Sequence, residues 1–445
     1  MPKNNEKNQN IGAHWASPEE IREAGLFEEE GFLLGLNHGR KIIDSSYKHI
    51  MFLQPMGHGK GVSIVVPNLL SWSESVIIHD IKSENYQLTS GYREKVLGQK
   101  VFLWDPANRR GVTHCYNPLD HLTGEPSDMI QGVDEIQKIA QILVPEDEVY
   151  SHDARSLIST LILCVCLDKT IPNTLGSVLW ILRTNDLNSY LEDAPDKFGD
   201  KLGWFGHMNV GAFLKKNEGD REWLKNVAAS ALGLWADPQI NMTTSRSDFS
   251  LEDFNAEKST LYVGVHPTDS DRLKPLLQIF YQQCISALTL REPVDDRIGV
   301  LLLLDELAGL GRMKFIEDAF AFARVYRLKI CPLIYNLSSL ESIYGHDAIN
   351  SILANCALKV ACCTNDYYTI NTLVDLVGDR IITYGDGNIG ERPLMLARDV
   401  VELPIWNELI ISDRLAIKCD KFMYYNDPDF KNRVLDPAAI PSLNI

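Results

Sequence analysis

The chain has 445 residues, 45% of them hydrophobic, enough to bury a large core shared between about two domains. Its formal net charge of −17 argues against an outer surface built to coat nucleic acid, although a ring could still line a pore with local positive charge. Nine cysteines form no C-x-x-C pair and eleven histidines show no H-E-x-x-H spacing, the usage of a reduced, cytosolic protein with no zinc site or disulfide frame.

No apolar run reaches membrane-spanning length. The longest, Leu157 to Leu167 and Val300 to Leu304, are too short and do not resemble a signal peptide, which predicts a soluble polypeptide.

Residues 1–12 are polar, rich in Asn and Lys, and predicted to be disordered. Ser17-Pro18-Glu19-Glu20 predicts a helix start, with Ser at the N-cap, Pro at N1 and Glu at N3. Phe32 to Gly35 and Lys41 to Ile43 read as a hairpin leading into an apolar strand that ends at Leu53. Gln54-Pro55-Met56-Gly57-His58-Gly59-Lys60-Gly61 follows, and Val62-Ser63-Ile64-Val65-Val66 continues as a short apolar helix.

Strand, glycine loop and helix form the context of a phosphate-cradling loop. Glycines let backbone N–H groups close around phosphate oxygens, the helix N-terminus adds positive potential, and Lys60 supplies a point charge. Against the pattern G-x-x-x-x-G-K-[ST], Gln54 stands at the first glycine and Gly61 where a hydroxyl would meet magnesium. The plainer alternative is a glycine turn with an exposed lysine.

Pro67 is expected to end or kink the helix. Ser75 to Asp80 and Lys100 to Pro106 read as further strands. From about Asp128 to Phe254 apolar residues recur at three and four, as in Ile130, Val133, Ile136, Ile139 and Ile142, and strand-like runs are absent. Trp180, Trp204, Trp223 and Trp235 lie in this helical stretch, with about one in four expected to be exposed.

Sheet resumes at Thr260 to Val265, and a helix from Leu273 to Leu288 feeds the apolar run Ile298 to Leu304, which ends in Asp305-Glu306. A buried strand delivering two carboxylates at its C-terminal end is the Walker B arrangement. Asp305 would hold Mg²⁺ through water, and Glu306 would orient the water attacking a γ-phosphate. The alternative is a core strand followed by a helix whose first turn favours acids. Both motifs on one chain read as a nucleotide motor.

Phe315 to Arg327 is predicted helical, with strands at Lys329 to Tyr335 and Ala357 to Ala361. The tail from Glu391 reads as mixed, ending in loop-like Asn426-Asp427-Pro428. The fold class is therefore α/β, a parallel sheet wound with helices over residues 13–127 and 255–445, interrupted by an all-α domain at 128–254.

Four motifs in this order resemble the VirD4/TraG coupling proteins of type IV secretion systems. They are Gly57-His58-Gly59-Lys60-Gly61-Val62, Asp80-Ile81-Lys82-Ser83-Glu84-Asn85-Tyr86, Tyr116-Asn117-Pro118-Leu119-Asp120 and Asp305-Glu306-Leu307-Ala308-Gly309-Leu310-Gly311-Arg312. Shorter matches occur at Ala154 to Leu157, Ser351 to Cys356 and Arg392 to Leu396.

The resemblance implies a RecA-like P-loop nucleotide-binding domain with an all-α insertion, forming a hexameric ATPase that uses ATP and Mg²⁺. It places such proteins at the cytoplasmic face of the bacterial inner membrane, usually behind transmembrane helices preceding the part that matches from Gly12. There they work with inner-membrane secretion components, and with chaperones or adaptors. They receive effector proteins or relaxase-DNA complexes for the channel.

Carried over residue by residue, Gly57, His58, Gly59, Gly61 and Val62 form the nucleotide loop. Lys60 contacts the β- and γ-phosphates. Asp305 and Glu306 take the metal and water roles. Arg324 falls at the position of an arginine finger that reaches a neighbouring subunit's γ-phosphate, the alternative being a helix-surface ion pair. Tyr335 stands where relatives often carry a γ-phosphate-sensing glutamine, and offers one hydroxyl in place of the amide's donor and acceptor.

The departures at Gln54, His58 and Tyr335 leave three functional readings open. One is an ATP-driven coupling protein. A second is a nucleotide-binding recruitment platform with little hydrolysis. The third is a soluble RecA-like DNA translocase, disfavoured by the acidic balance.

Overall fold

The computed structural model describes residues 12–122, 129–146, 151–184, 186–292, 297–383, 389–412 and 415–443. Apart from Gly12, the polar segment 1–12 lies outside the described residues. Ser17 caps the helix Pro18–Glu23 in a capping box with Glu20.

Among the described residues, strands β1 (Phe32–Asn37), β2 (Arg40–Asp44), β3 (His49–Leu53), β4 (Ser75–Ile81) and β5 (Lys100–Trp104) precede the helical stretch. After it come β6 (Ser259–Val265), β7 (Val300–Asp305), β8 (Leu328–Ile334) and β9 (Cys356–Ala361). Then follow β10 (Asp379–Thr383), β11 (Ile389–Pro393), β12 (Asn407–Ile411) and β13 (Ala416–Asp420).

Eleven of these strands form one sheet, in the order β2-β1-β13-β12-β9-β3-β8-β7-β4-β6-β5. Its centre is parallel. β3 pairs with β9 on one side and β8 on the other, β8 with β7, and β7 with β4, all in parallel. Strands covered on both faces read as unbroken apolar runs, and β3 is buried at every residue and β7 up to Asp305. Because β3, β4, β7 and β8 run the same way, the loop after β3 and the carboxylates after β7 emerge at one edge of the sheet.

Beyond β9 the sheet turns antiparallel, through β12, β13, β1 and β2. The tail that reads as mixed in sequence thus supplies two core strands, and its short alternating segments hide that role. Asn426-Asp427-Pro428 is likewise more than a loop. The Asp427 side chain caps a helix, Pro428–Asn432, accepting from the N–H groups of Asp429 and Phe430.

The chain divides into two compact units: Met1–Phe102 with Glu252–Val263 and Ala287–Ala439, and Leu103–Leu251 with Gly264–Ser286 and Ile440–Ile445. In the second unit an aromatic nucleus of Trp104, Tyr116, Phe249 and Phe280 has neighbouring ring centroids 4.9–5.6 Å apart. The helix Ser151–Leu167 is buried continuously from Leu157.

Of the four tryptophans in the helical stretch, only Trp235 is core; Trp180, Trp204 and Trp223 are 51%, 77% and 40% exposed. The expectation of mostly buried indoles fails because the helices are amphipathic. The helix carrying Trp180, for example, turns Val178, Leu179, Ile181 and Leu182 inward instead. Among the described residues no helix is long and apolar enough to cross a membrane.

Candidate functional site

The glycine loop leaves the C-terminal end of β3. Gly57 and Gly59 adopt φ of 78° and 81°, left-handed values that a side chain would strain. Their N–H groups meet no backbone acceptor among the described residues, and no atom lies within 4 Å of a Cβ built on Gly57 or Gly61. The loop therefore presents open space and donors together, the cradle an oxyanion requires.

Gln54 does not crowd this loop. Its side chain turns under the loop, buried, and Nε2 donates to the His58 carbonyl at 2.6 Å. The buried ammonium of Lys421, just past β13, donates to the same oxygen at 2.8 Å. A charge-assisted bond of this kind contributes about 1.5–3 kcal/mol. Two side chains thus fix the loop where the motif's glycine is missing. The helix beyond continues to Leu69 through one over-wide turn, in which the Val66 N–H reaches the Gly61 carbonyl. Pro67 lacks the N–H that would take the Ser63 carbonyl, so it widens the helix without ending it.

Lys60 and Asp305 form an ion pair, each side chain largely buried. The Lys60 ammonium also lies 4.4 Å from the centroid of the Tyr335 ring, within cation–π range. The Tyr335 hydroxyl, its pKa raised by burial and by the neighbouring Glu306 carboxylate, stays protonated and donates to Glu306 Oε2 at 3.1 Å. Glu306 itself is held at φ 60°, a left-handed conformation that costs on the order of 1 kcal/mol or more and persists only where the surroundings impose it. Its N–H bonds the Leu333 carbonyl of β8 at 3.0 Å, and this pins the turn.

The end of β4 completes the pocket. His79 is buried, and desolvation, reinforced by the Lys60 charge, pushes its pKa down to about 4, so the imidazole is neutral. Asp80 accepts from the backbone N–H groups of Asn85 and Tyr86 and from the Asn85 side chain at 2.8–3.1 Å. Burial outweighs those donors and, with repulsion from Asp305, raises its carboxyl to about 7. Sequence spacing points to neither Gln54 nor Lys421 as a brace, since what they hold is a backbone carbonyl. The positions of His79 and Asp80 at a strand end, beside the carboxylate-bearing strand, were the available signal.

Arg324 lies elsewhere. It sits on the turn Ala323–Tyr326 ahead of β8, at the edge of the sheet opposite the loop, and its charge helps depress His49 at the start of β3. The seven residues of β8 span roughly 23 Å, beyond the reach of its side chain to its own Lys60. Arg324 is exposed and makes no ion pair among the described residues.

Residues 14–443 match the family model described as type IV secretory system conjugative DNA transfer. The chain belongs to this family. It is 29% identical to protein VirD4 of Agrobacterium fabrum, over 93% of this chain and 66% of that one. It is 26% identical to the conjugal transfer protein TraG of Escherichia coli, over 96% and 78%. The chain thus spans just under two thirds of the length of the VirD4 relative.

Among solved structures, the plasmid coupling protein TrwB in complex with ADP and Mg²⁺ superposes with a TM-score of 0.70 at 14% identity, covering 94% of this chain and 96% of that one. VirB4 of Thermoanaerobacter pseudethanolicus gives a TM-score of 0.56 at 14% identity, covering 91% and 98%. The fold of the family member described here is thus the RecA-like P-loop fold.

Proposed function

We propose that this chain is the nucleotide-binding part of a type IV secretion coupling protein, an ATPase that receives effector proteins or relaxase-DNA complexes and delivers them to the secretion channel. The observation that carries this reading is the convergence of Lys60, Asp305, Glu306 and Tyr335 beside an open glycine cradle. The solved TrwB structures, one with ADP and Mg²⁺ and another with a non-hydrolysable ATP analogue, support the choice of ligand.

The residues fit a triphosphate with its cation. Lys60 and Asp305 neutralise each other in this structure, and each would exchange that partner for one of opposite charge: phosphate for Lys60, cation for Asp305. When bound, Mg²⁺ would neutralise charge on the β- and γ-oxygens. Glu306, aimed by Tyr335, would accept a hydrogen bond from the attacking water and orient it. Gln54 and Lys421 would hold the cradle, and neutral His79 would add no competing positive charge.

Arg324 acts only in trans on this reading, because its own pocket lies at the far edge of the sheet. A ring, by family a hexamer, would bring it to the neighbour's γ-phosphate. The helical domain, residues 128–254, is where cargo or adaptor proteins would dock, and exposed Trp180, Trp204 and Trp223 support that assignment.

A recruitment platform with slow turnover is the second reading, favoured by Gly61 standing where a hydroxyl would meet magnesium. ATP hydrolysis measured across protein concentration separates the two. Activity that rises steeply with assembly and disappears in Lys60→Ala and Glu306→Gln supports the motor. Nucleotide binding with a flat, negligible rate supports the platform, and hydrolysis unchanged by Lys60→Ala overturns the site.

A further inference from the structure

We propose that a cleft of about 320 Å³ within the helical unit is a second anion site, one that takes a phosphate or carboxylate head carried on an organic group. Gln137 and Gln141 reach it from the helix Met129–Leu143, and His152, Arg155 and Ser159 from the helix Ser151–Leu167. These are spacings of three and four, so each helix turns one stripe of polar side chains toward the cleft. Phe205, on the helix Gly203–Leu214, supplies an apolar wall.

The chemistry of this lining is one-sided. Among the described residues no carboxylate lines the cleft, in a chain whose net charge is −17. Arg155 is oriented by its own backbone bond, Nε donating to the Val144 carbonyl at 2.7 Å, which leaves its terminal nitrogens to grip a planar acceptor. Its acidic partner among the described residues, Glu146, stands 3.6 Å away with its side chain 86% exposed, a loose partner that a bound anion would displace.

The second observation is Ser159. It is 2% exposed and lines the cleft, yet its hydroxyl meets no hydrogen-bond partner among the described residues. A helical serine normally bonds back to the carbonyl four residues earlier, as neighbouring Thr160 does to Ser156 at 2.7 Å. The Ser159 oxygen is not among the sealed polar atoms that lack a partner, so it keeps some exposure to the cleft and can bond what enters it. An oxyanion oxygen between Ser159 and Arg155 would accept that bond, with Phe205 packing the attached group. The volume, at the low end for a small-molecule site, suits a ligand of that size.

Phenyl phosphate and benzoate are the probes, titrated calorimetrically into the Lys60→Ala chain so that the glycine loop does not compete for phosphate. At least one probe binds, and the tighter of the two says whether phosphate or carboxylate is preferred. Arg155→Gln weakens that probe at least about thirtyfold and Ser159→Ala about fivefold, the scale of lost charged and neutral hydrogen bonds. Gln141→Glu changes an exposed position, so the fold is retained, and the added carboxylate at the rim lowers affinity at least about tenfold. Binding of neither probe, or binding indifferent to Gln141→Glu and Arg155→Gln, overturns the proposal.

Discussion

Lys60 and Asp305, 245 residues apart in sequence, meet as an ion pair at the edge where β3 and β7 both end. The pairing follows from strand direction. β3 and β7 each run parallel to β8, so the residues that leave their C-terminal ends are delivered to the same place. In this structure the two charges neutralise each other, so on the proposed reading nucleotide and cation would have to open the pair.

Lys60→Ala removes the phosphate cation and leaves Asp305 unpaired. Nucleotide affinity should fall at least about a hundredfold, some 2.7 kcal/mol, as read by titration with a fluorescent ATP analogue. Glu306→Gln should leave affinity within about threefold and lower the hydrolysis rate at least about a hundredfold, because the amide keeps the size of the side chain but not its charge.

Tyr335→Phe and Tyr335→Ala separate two contacts. Phenylalanine keeps the ring against Lys60 and loses the bond to Glu306. It should lower turnover severalfold with little change in affinity, whereas alanine should weaken nucleotide binding as well by about 1 kcal/mol. Steady-state kinetics with direct binding measurements distinguish them.

Lys421→Met tests the brace on the loop. Without the ammonium, the His58 carbonyl keeps only Gln54, and nucleotide affinity should fall about tenfold. Gln54→Gly restores the motif's glycine yet removes a brace, so here it should weaken binding. A variant that binds more tightly would show that Gln54 obstructs the loop.

How much of this was legible in sequence depended on burial. β3, β4, β7 and β8 stood out because strands covered on both faces are written as apolar runs, and Lys60, Asp305 and Glu306 stood out because their neighbours and order are themselves informative. β12 and β13 did not, since a pairing such as β12 against β9 depends on segments about 50 residues apart. The left-handed turn at Glu306 was equally hidden, because an acid there gives no sign of positive φ. The exposure of Trp204 was lost to a residue-type average that overrode its place on the helix.

The buried carboxyl of Glu408, on β12, makes a pH prediction. Burial raises it to about 8, opposed by Lys421 and helped by Asp420. Because the folded pKa exceeds the unfolded value, the native state holds an extra proton between roughly pH 4.5 and 8, and stability falls as pH rises through that window. Glu408→Gln removes this dependence. The melting temperature of the wild type relative to the variant should therefore decline from about pH 5 to about pH 9; a difference constant with pH would show that Glu408 titrates normally.

The most direct measurement is a double-mutant cycle on ATP affinity in the presence of Mg²⁺, using Lys60→Ala, Asp305→Asn and both together. If the two side chains act on one triphosphate and its cation, the losses couple by at least about 1 kcal/mol. Losses that add independently, or affinity that neither substitution changes, would contradict a shared pocket.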